Sequence, residues 1–253
     1  MQRAFSLVEL SIVLVILGLL TGGILAGKSL IRAAELRNVT TEFQRYITAV
    51  NSFRDKYFAA PGDIADAHKF WTSAGGNGAN STCQNATTST STTCSGDGNG
   101  YVTFFSSGSV AEGYRFWQHL ALAGLIEGSY TGQPGVTLNV NIPASKLAGA
   151  TWFVSGGPAV AGDTFGYATE AGNMLQYLNA ASGNPLKPEE AWNIDSKMDD
   201  GKPGSGKVLA LKGDGTSIIC TTGDNLAPPA DANATYVLTR TAKDCGLIFQ
   251  AAF

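Results

Sequence analysis

Few side chains in this 253-residue chain have the types and spacing that chemistry needs. Asp97-Gly98-Asn99-Gly100-Tyr101 offers oxygen donors at alternating positions, as calcium loops do. The full EF-hand pattern is absent, because Gly108 stands where its closing carboxylate belongs. Asp97 and Asn99 are candidate ligands for a structural Ca²⁺, against the simpler expectation of a flexible turn. Asp195, Asp199 and Asp200 form a second acidic group. Gly201 to Lys207 fits G-x-x-x-x-G-K, but Val208 stands where Ser or Thr must reach Mg²⁺. A polar helix precedes that segment and a strand follows it, the reverse of a phosphate-binding loop. A Gly/Pro turn leading into a strand is the better reading. His68 and His119 are the only histidines, and both fall in helical patterns that suit packing or surface positions. No G-x-S-x-G, H-E-x-x-H or paired Cys/His signature appears, so no residues are nominated for catalysis and the chain reads as a non-enzyme.

Four cysteines remain. No C-x-x-C occurs and neither histidine is near a cysteine, so a metal reading is poor. Sequence order suggests Cys83 with Cys94 and Cys220 with Cys245, although three connectivities are open. Disulfides imply an oxidising compartment, hence export. Closing the loop between Cys83 and Cys94 would stabilise by roughly 2–3 kcal/mol on the chain-entropy model. That loop lies in a Gly-, Ser-, Thr- and Asn-rich stretch over 73–100, which reads as solvated surface, with O-glycosylation as the alternative. Lys and Arg number 17 against 20 Asp and Glu, a net charge of −3. No positive field exists to hold a phosphate backbone, so no nucleic-acid partner is expected.

These residues must be positioned by a chain whose first sixty residues are unlike the rest. Leu10 to Gly27 is 18 consecutive residues without a charge, on a helix close to the bilayer core in length. Glu9 at the start of the run and Ile24 three positions before Gly27 both argue against a removed signal peptide. Beyond the run, apolar residues fall at Leu36, Val39, Phe43, Tyr46/Ile47, Val50, Phe53 and Tyr57. Steps of three and four mark one face of an amphipathic helix. Charged and polar residues, Glu42 among them, fill much of the remainder. The spacing predicts a single helix from about Phe5 to Phe58, on the order of 80 Å long. Gly18-x-x-x-Gly22 and Gly23-x-x-x-Gly27 would let apolar helices approach closely.

Arg3-Ala4-Phe5-Ser6-Leu7-Val8-Glu9-Leu10 and the apolar helix behind it resemble the processing site and N-terminus of type IV pilin-like proteins. That family includes type IV pilins and type II secretion pseudopilins. The resemblance implies cleavage between Ala4 and Phe5 by a prepilin peptidase and N-methylation of Phe5. Ala4 departs from the glycine usual before the cut. Glu9 becomes the fifth mature residue, where the family places its glutamate. An ionised carboxylate in an apolar medium is costly unless paired. The α-amino group of Phe5 is a cation in the same layer, on the same subunit or on a neighbour in a filament. The competing role for Glu9 is a capping box with Ser6. The resemblance also extends to the Cys220–Cys245 region, which is similar to the disulfide-bounded C-terminal region of many type IV pilins.

The remaining chain reads as alternating short helices and strands. Asp63 is expected to N-cap a helix through Trp71. Ser109-Val110-Ala111-Glu112 reads as a capping box opening a helix to Ile126, with Gly128 as its C-cap. Pro188-Glu189-Glu190 opens another, to about Met198. Strand-like runs are Val136–Val140, Thr151–Val154, Phe165–Ala168, Val208–Leu211, Ser217–Cys220, Tyr236–Thr239 and Leu247–Phe249. The fold class is α+β: a long N-terminal helix, transmembrane then amphipathic, packed on an antiparallel sheet head. The expected divisions are leader 1–4, membrane segment 5–28, amphipathic segment 29–58 and head 59–253. The implied function is a structural subunit of a type IV pilus or related filament. The alternatives are a type II secretion pseudopilin, and a membrane-anchored periplasmic binding or enzymatic domain. The implied partners are a prepilin peptidase, copies of itself or related subunits, and an inner-membrane assembly platform. The implied location is the bacterial inner membrane, then an extracellular or periplasmic filament.

Overall fold

A computed structural model describes residues 7–73, 92–103, 112–157, 172–180, 183–210, 219–222, 233–250 and 252–253. Helix α1 runs without interruption from Leu7 to Tyr57. Its first half is greasy all round, and no residue from 7 to 31 is buried. Its second half presents one stripe. Val39, Tyr46, Ala49, Val50 and Phe53 are buried, and Leu36, Phe43, Ile47 and Tyr57 pack at the margin. The expected apolar face is therefore the docking face.

Glu42 departs from the expected pattern. It is buried on that face, where its carboxylate accepts the Trp152 indole N–H at 2.8 Å and the Lys146 backbone N–H at 2.7 Å. A buried carboxylate with two donors is tolerated where an unpaired one is not.

The head is α+β. A short 3₁₀ turn, Ala67–Lys69, replaces the helix expected through Trp71. Strands β1 (Thr72–Ser73) and β2 (Thr92–Thr93) pair in parallel. Helix α2 spans Glu112–Leu122. It stops earlier than expected because Gly124, not Gly128, closes it. Gly124 has φ 71°, its N–H reaches the Ala121 carbonyl, and the Leu125 N–H reaches the Leu120 carbonyl. That pair of bonds is a Schellman closure.

The main sheet contains β3 (Ala150–Gly157), β4 (Gly172–Asn179), β5 (Val208–Ala210) and β6 (Leu247–Phe249), in the order β3-β4-β6-β5, all antiparallel. Helix α3 (Pro188–Met198) packs on α1. The register places Trp152, Val154, Leu175, Tyr177, Val208, Ala210, Leu247 and Phe249 on the face toward α1. Phe43 stacks on Phe249 with ring centroids 4.4 Å apart, and Tyr46 meets Trp117 edge-on at 4.9 Å. Met174, Leu209 and Ile248 are buried together on the opposite face.

Two expected strands do not form. Val136–Val140 is a turn, with a single bridge between Leu138 and Ile142. Asn141 holds the Thr137 N–H and the Gln133 carbonyl, and Asn139 holds the Ala144 N–H. Asparagine side chains there take the place of a strand partner. Tyr236–Thr239 makes one bridge, Tyr236 to Thr221, and then turns. Conversely, β4 is central to the sheet and was not anticipated. Its sequence, GNMLQYLN, is rich in Asn and Gln, which are poor strand signals. The Phe165–Ala168 run, most of the 73–100 stretch and residues 217–218 lie outside the described residues. Cys220 and Cys245 are joined. Cys94 is buried and disulfide-bonded, and Cys83 lies outside the described residues.

Glu42→Ala leaves the fully buried Trp152 indole N–H without an acceptor. It should cost about 1–3 kcal/mol, read as a lower urea midpoint for the detergent-solubilised chain.

Candidate functional site

Two places concentrate chemically capable groups: the N-terminal half of α1, and a carboxylate cluster at the far end of the same helix. The first is long and apolar enough to cross a membrane by length and composition, and none of its residues 7–31 is buried. Glu9 lies in its first turn. Ala4 and Phe5 lie outside the described residues. The head takes hold of α1 at Arg32. Its guanidinium donates from Nε to Glu190 Oε1 at 2.5 Å and from Nη2 to Glu190 Oε2 at 2.6 Å, and it also meets Glu35 at 3.0 Å. Glu190 in turn accepts the Lys187 N–H at the start of α3. The bidentate geometry fixes both distance and orientation between the two helices.

The second site is built from two turns and the first residue of α2. Asp63, expected as a helix cap, is buried and accepts backbone N–H groups from Asn99 at 3.1 Å and Gly100 at 2.9 Å. Glu112 opens α2, yet its carboxylate reaches backward to Thr103 N–H and Oγ1 and to the Asp97 N–H. Its expected capping partner, Ser109, lies outside the described residues. Carboxylate oxygens of Asp63, Asp97 and Glu112 come within 4.8 Å of one another. Asn99 lies beside them, with its Oδ1 accepting the Tyr101 N–H and its amide donating to Asp97. Burial pushes Asp63 up to about 7, and the neighbouring Glu112 and Asp97 charges push the same way. Burial also raises Glu112. Three clustered carboxyls can share protons or hold a divalent cation. Sequence reading found Asp97 and Asn99 but not Asp63 and Glu112. No spacing signal links three segments that meet only after the chain has folded.

The second acidic group is spent on structure. Asp195 accepts the Tyr236 hydroxyl at 2.7 Å and the Gly201 N–H at 3.2 Å. Asp199 accepts the Lys207 and Val208 N–H groups. The backbone amides that a phosphate would need at Gly201–Lys207 are thus already used in part. Burial raises Asp195 to about 7, reinforced by Asp200 and Asp199.

His119 is a core strut. Its Nδ1 accepts the Gly62 N–H at 2.9 Å, and its Nε2 faces Thr93 Oγ1 at 2.9 Å and the Cys94 carbonyl at 3.2 Å. Burial, with the nearby Arg115 charge, pushes it down to about 3, so it is neutral at ordinary pH. His68 is half-buried against Ser95 at 3.1 Å.

A long apolar helix is seated by its second half on an antiparallel sheet. The prokaryotic N-terminal methylation motif matches residues 1–25, so the chain carries the type IV pilin and pseudopilin signature. The chain matches no curated protein and no solved structure.

Asp63 and Asp195 carry raised values, so each contributes stability that is full below the unfolded carboxylate range near about 4. That contribution is lost as pH rises through about 7. The melting temperature should therefore fall between pH 5 and pH 8. Asp63→Asn with Asp195→Asn should flatten that slope, whatever its effect on absolute stability.

Proposed function

We propose that this chain is the structural subunit of a type IV pilus or a related filament. The observation that carries the reading is the methylation motif at 1–25 running into a helix that buries none of residues 7–31 in its own subunit. Such a surface needs lipid around it, or other helices once it leaves the bilayer. Residues 1–4 form the leader, removed by a prepilin peptidase between Ala4 and Phe5, and Phe5 is then N-methylated. Residues 5–28 hold the subunit in the inner membrane and later pack in the filament core. Residues 29–58 seat the head, 59–253, which faces outward. Glu9 pairs with the α-amino group of a neighbour's Phe5, which removes an unpaired charge from an apolar layer. An assembly platform and copies of the chain, or related subunits, are the partners. The same features suit a type II secretion pseudopilin.

Mass spectrometry of the chain from its native membrane should give an N-terminus of methylated Phe5, and an intact Met1 would remove the basis of the reading. Glu9→Ala should leave the subunit in the membrane but abolish filaments by electron microscopy. Normal filaments in that variant would refute the Glu9 role.

The carboxylate cluster supports a structural Ca²⁺ held by Asp97, Asn99, Asp63 and Glu112. A cation there would offset the mutual repulsion of three acids. Millimolar Ca²⁺ at pH 8 should raise the melting temperature. Asp63→Asn should abolish the increment, and equal melting with Ca²⁺ and with chelator would exclude the ion.

A further inference from the structure

The last turn of α1 ends in a residue that the fold does not account for. Phe58 donates its N–H to the Arg54 carbonyl at 2.8 Å and closes the helix with φ 55°. Glycine or asparagine usually holds that left-handed position, because a Cβ there is strained. The Phe58 ring is also 92% exposed. The subunit gains no core packing in return for the strain. Backbone strain of this kind clusters at ligand-binding and other functional sites.

Phe58 stands at the rim of a cleft of about 690 Å³. One wall is the same face of α1, with Asn51, Arg54 and Asp55 one and two turns before Phe58. All three are exposed, and their side chains have no hydrogen-bond or ion partner among the described residues. The opposite wall holds Gly100, Asn173 and the Asp63 carboxylate, which is already occupied by two backbone N–H groups.

The cleft thus combines a solvent-facing aromatic with uncommitted donors and acceptors of both kinds. Arg54 and Asp55 cancel in charge, so the open wall does not select an ion. The Asn51 amide, the Arg54 guanidinium and the Asp55 carboxylate suit a ligand whose groups donate and accept at once. An extended peptide finds no ladder here. The strand residue in the wall, Asn173, pairs with Gly156 on β3, and its carbonyl accepts the Ala252 N–H on the other side. A sugar ring meets both requirements: its C–H face is apolar and its hydroxyls each donate and accept. We infer that this cleft binds a neutral saccharide, with one ring stacked on Phe58 and its hydroxyls bonded to Asn51, Arg54 and Asp55. Binding needs only the folded subunit, so it does not rest on filament assembly.

The test is a printed array of neutral hexose and N-acetylhexosamine oligosaccharides, probed with the detergent-solubilised full chain. A subset should be retained, and Phe58→Ala and Asp55→Ala should each weaken retention by about tenfold or more. Phe58→Gly should lose retention while melting at the same or a higher temperature, because glycine relieves the left-handed strain. That result separates a lost platform from a lost fold. Retention of no neutral glycan, or undiminished retention by Phe58→Ala, overturns the proposal. So does retention restricted to sulfated or sialylated glycans, which would make Arg54 a plain anion contact. A change in self-association by Phe58→Ala without any glycan binding also overturns it and assigns the cleft to a second copy.

Discussion

Residues 7–31 of α1 bury nothing within the subunit, so helix and head are held together by residues 32–57 alone. One continuous helix must therefore satisfy two solvents in series. Apolar residues all round suit a hydrocarbon environment, where the backbone is satisfied internally. A single apolar stripe suits a helix lying on a protein core in water. The change occurs near Lys28 and Arg32, and the Arg32–Glu190 fork marks where the head begins to grip. Before that point no described residue of the helix is buried, and beyond it the helix packs on the head.

The grip itself is mostly aromatic. Phe43, Tyr46 and Phe53 from α1 meet Trp117, Trp152, Phe249 and Trp71 from the head. Rings of this size bury large areas, and tilted and edge-on contacts add to that burial. Glu42 lies in the middle of this contact and fixes its register, because its two oxygens have defined donors on β3 and on the turn before it. A slide of one helical turn would leave that carboxylate buried without partners, which hydrocarbon contact alone would not forbid.

Among its described residues the head has little regular structure to spare. Strands β5 and β6 are three residues each, and much of the remainder is turns. Buried polar groups do the work that longer ladders would otherwise do. Asp63, His119 and Asn173 each tie backbone groups from segments distant in sequence, while Glu112 and Asp195 close nearer turns. Several of these carboxyls are raised by burial, so the same groups that order the turns also make the head sensitive to pH.

The long helix, the place where its character changes, the positions of its docking stripe, α3, and strands β3, β5 and β6 are legible in the chain's local pattern. Those signals are local: hydrophobic periodicity, a Pro-Glu-Glu start and β-branched runs can each be read from neighbours in the chain. The N-terminal motif is local as well, since it is one contiguous segment, residues 1–25. The features that emerge only on folding are non-local. Glu42 looked solvent-facing because helical position does not reveal an indole donor arriving from β3. Strand β4 was invisible because its Gln and Asn residues owe their place to neighbours on both edges rather than to propensity. Asp63, Asp97 and Glu112 carry no common spacing, and only the folding of three segments onto one another makes them a site. Local patterns are fixed by the backbone's own periodicity, whereas buried polar contacts depend on which distant segment supplies the partner.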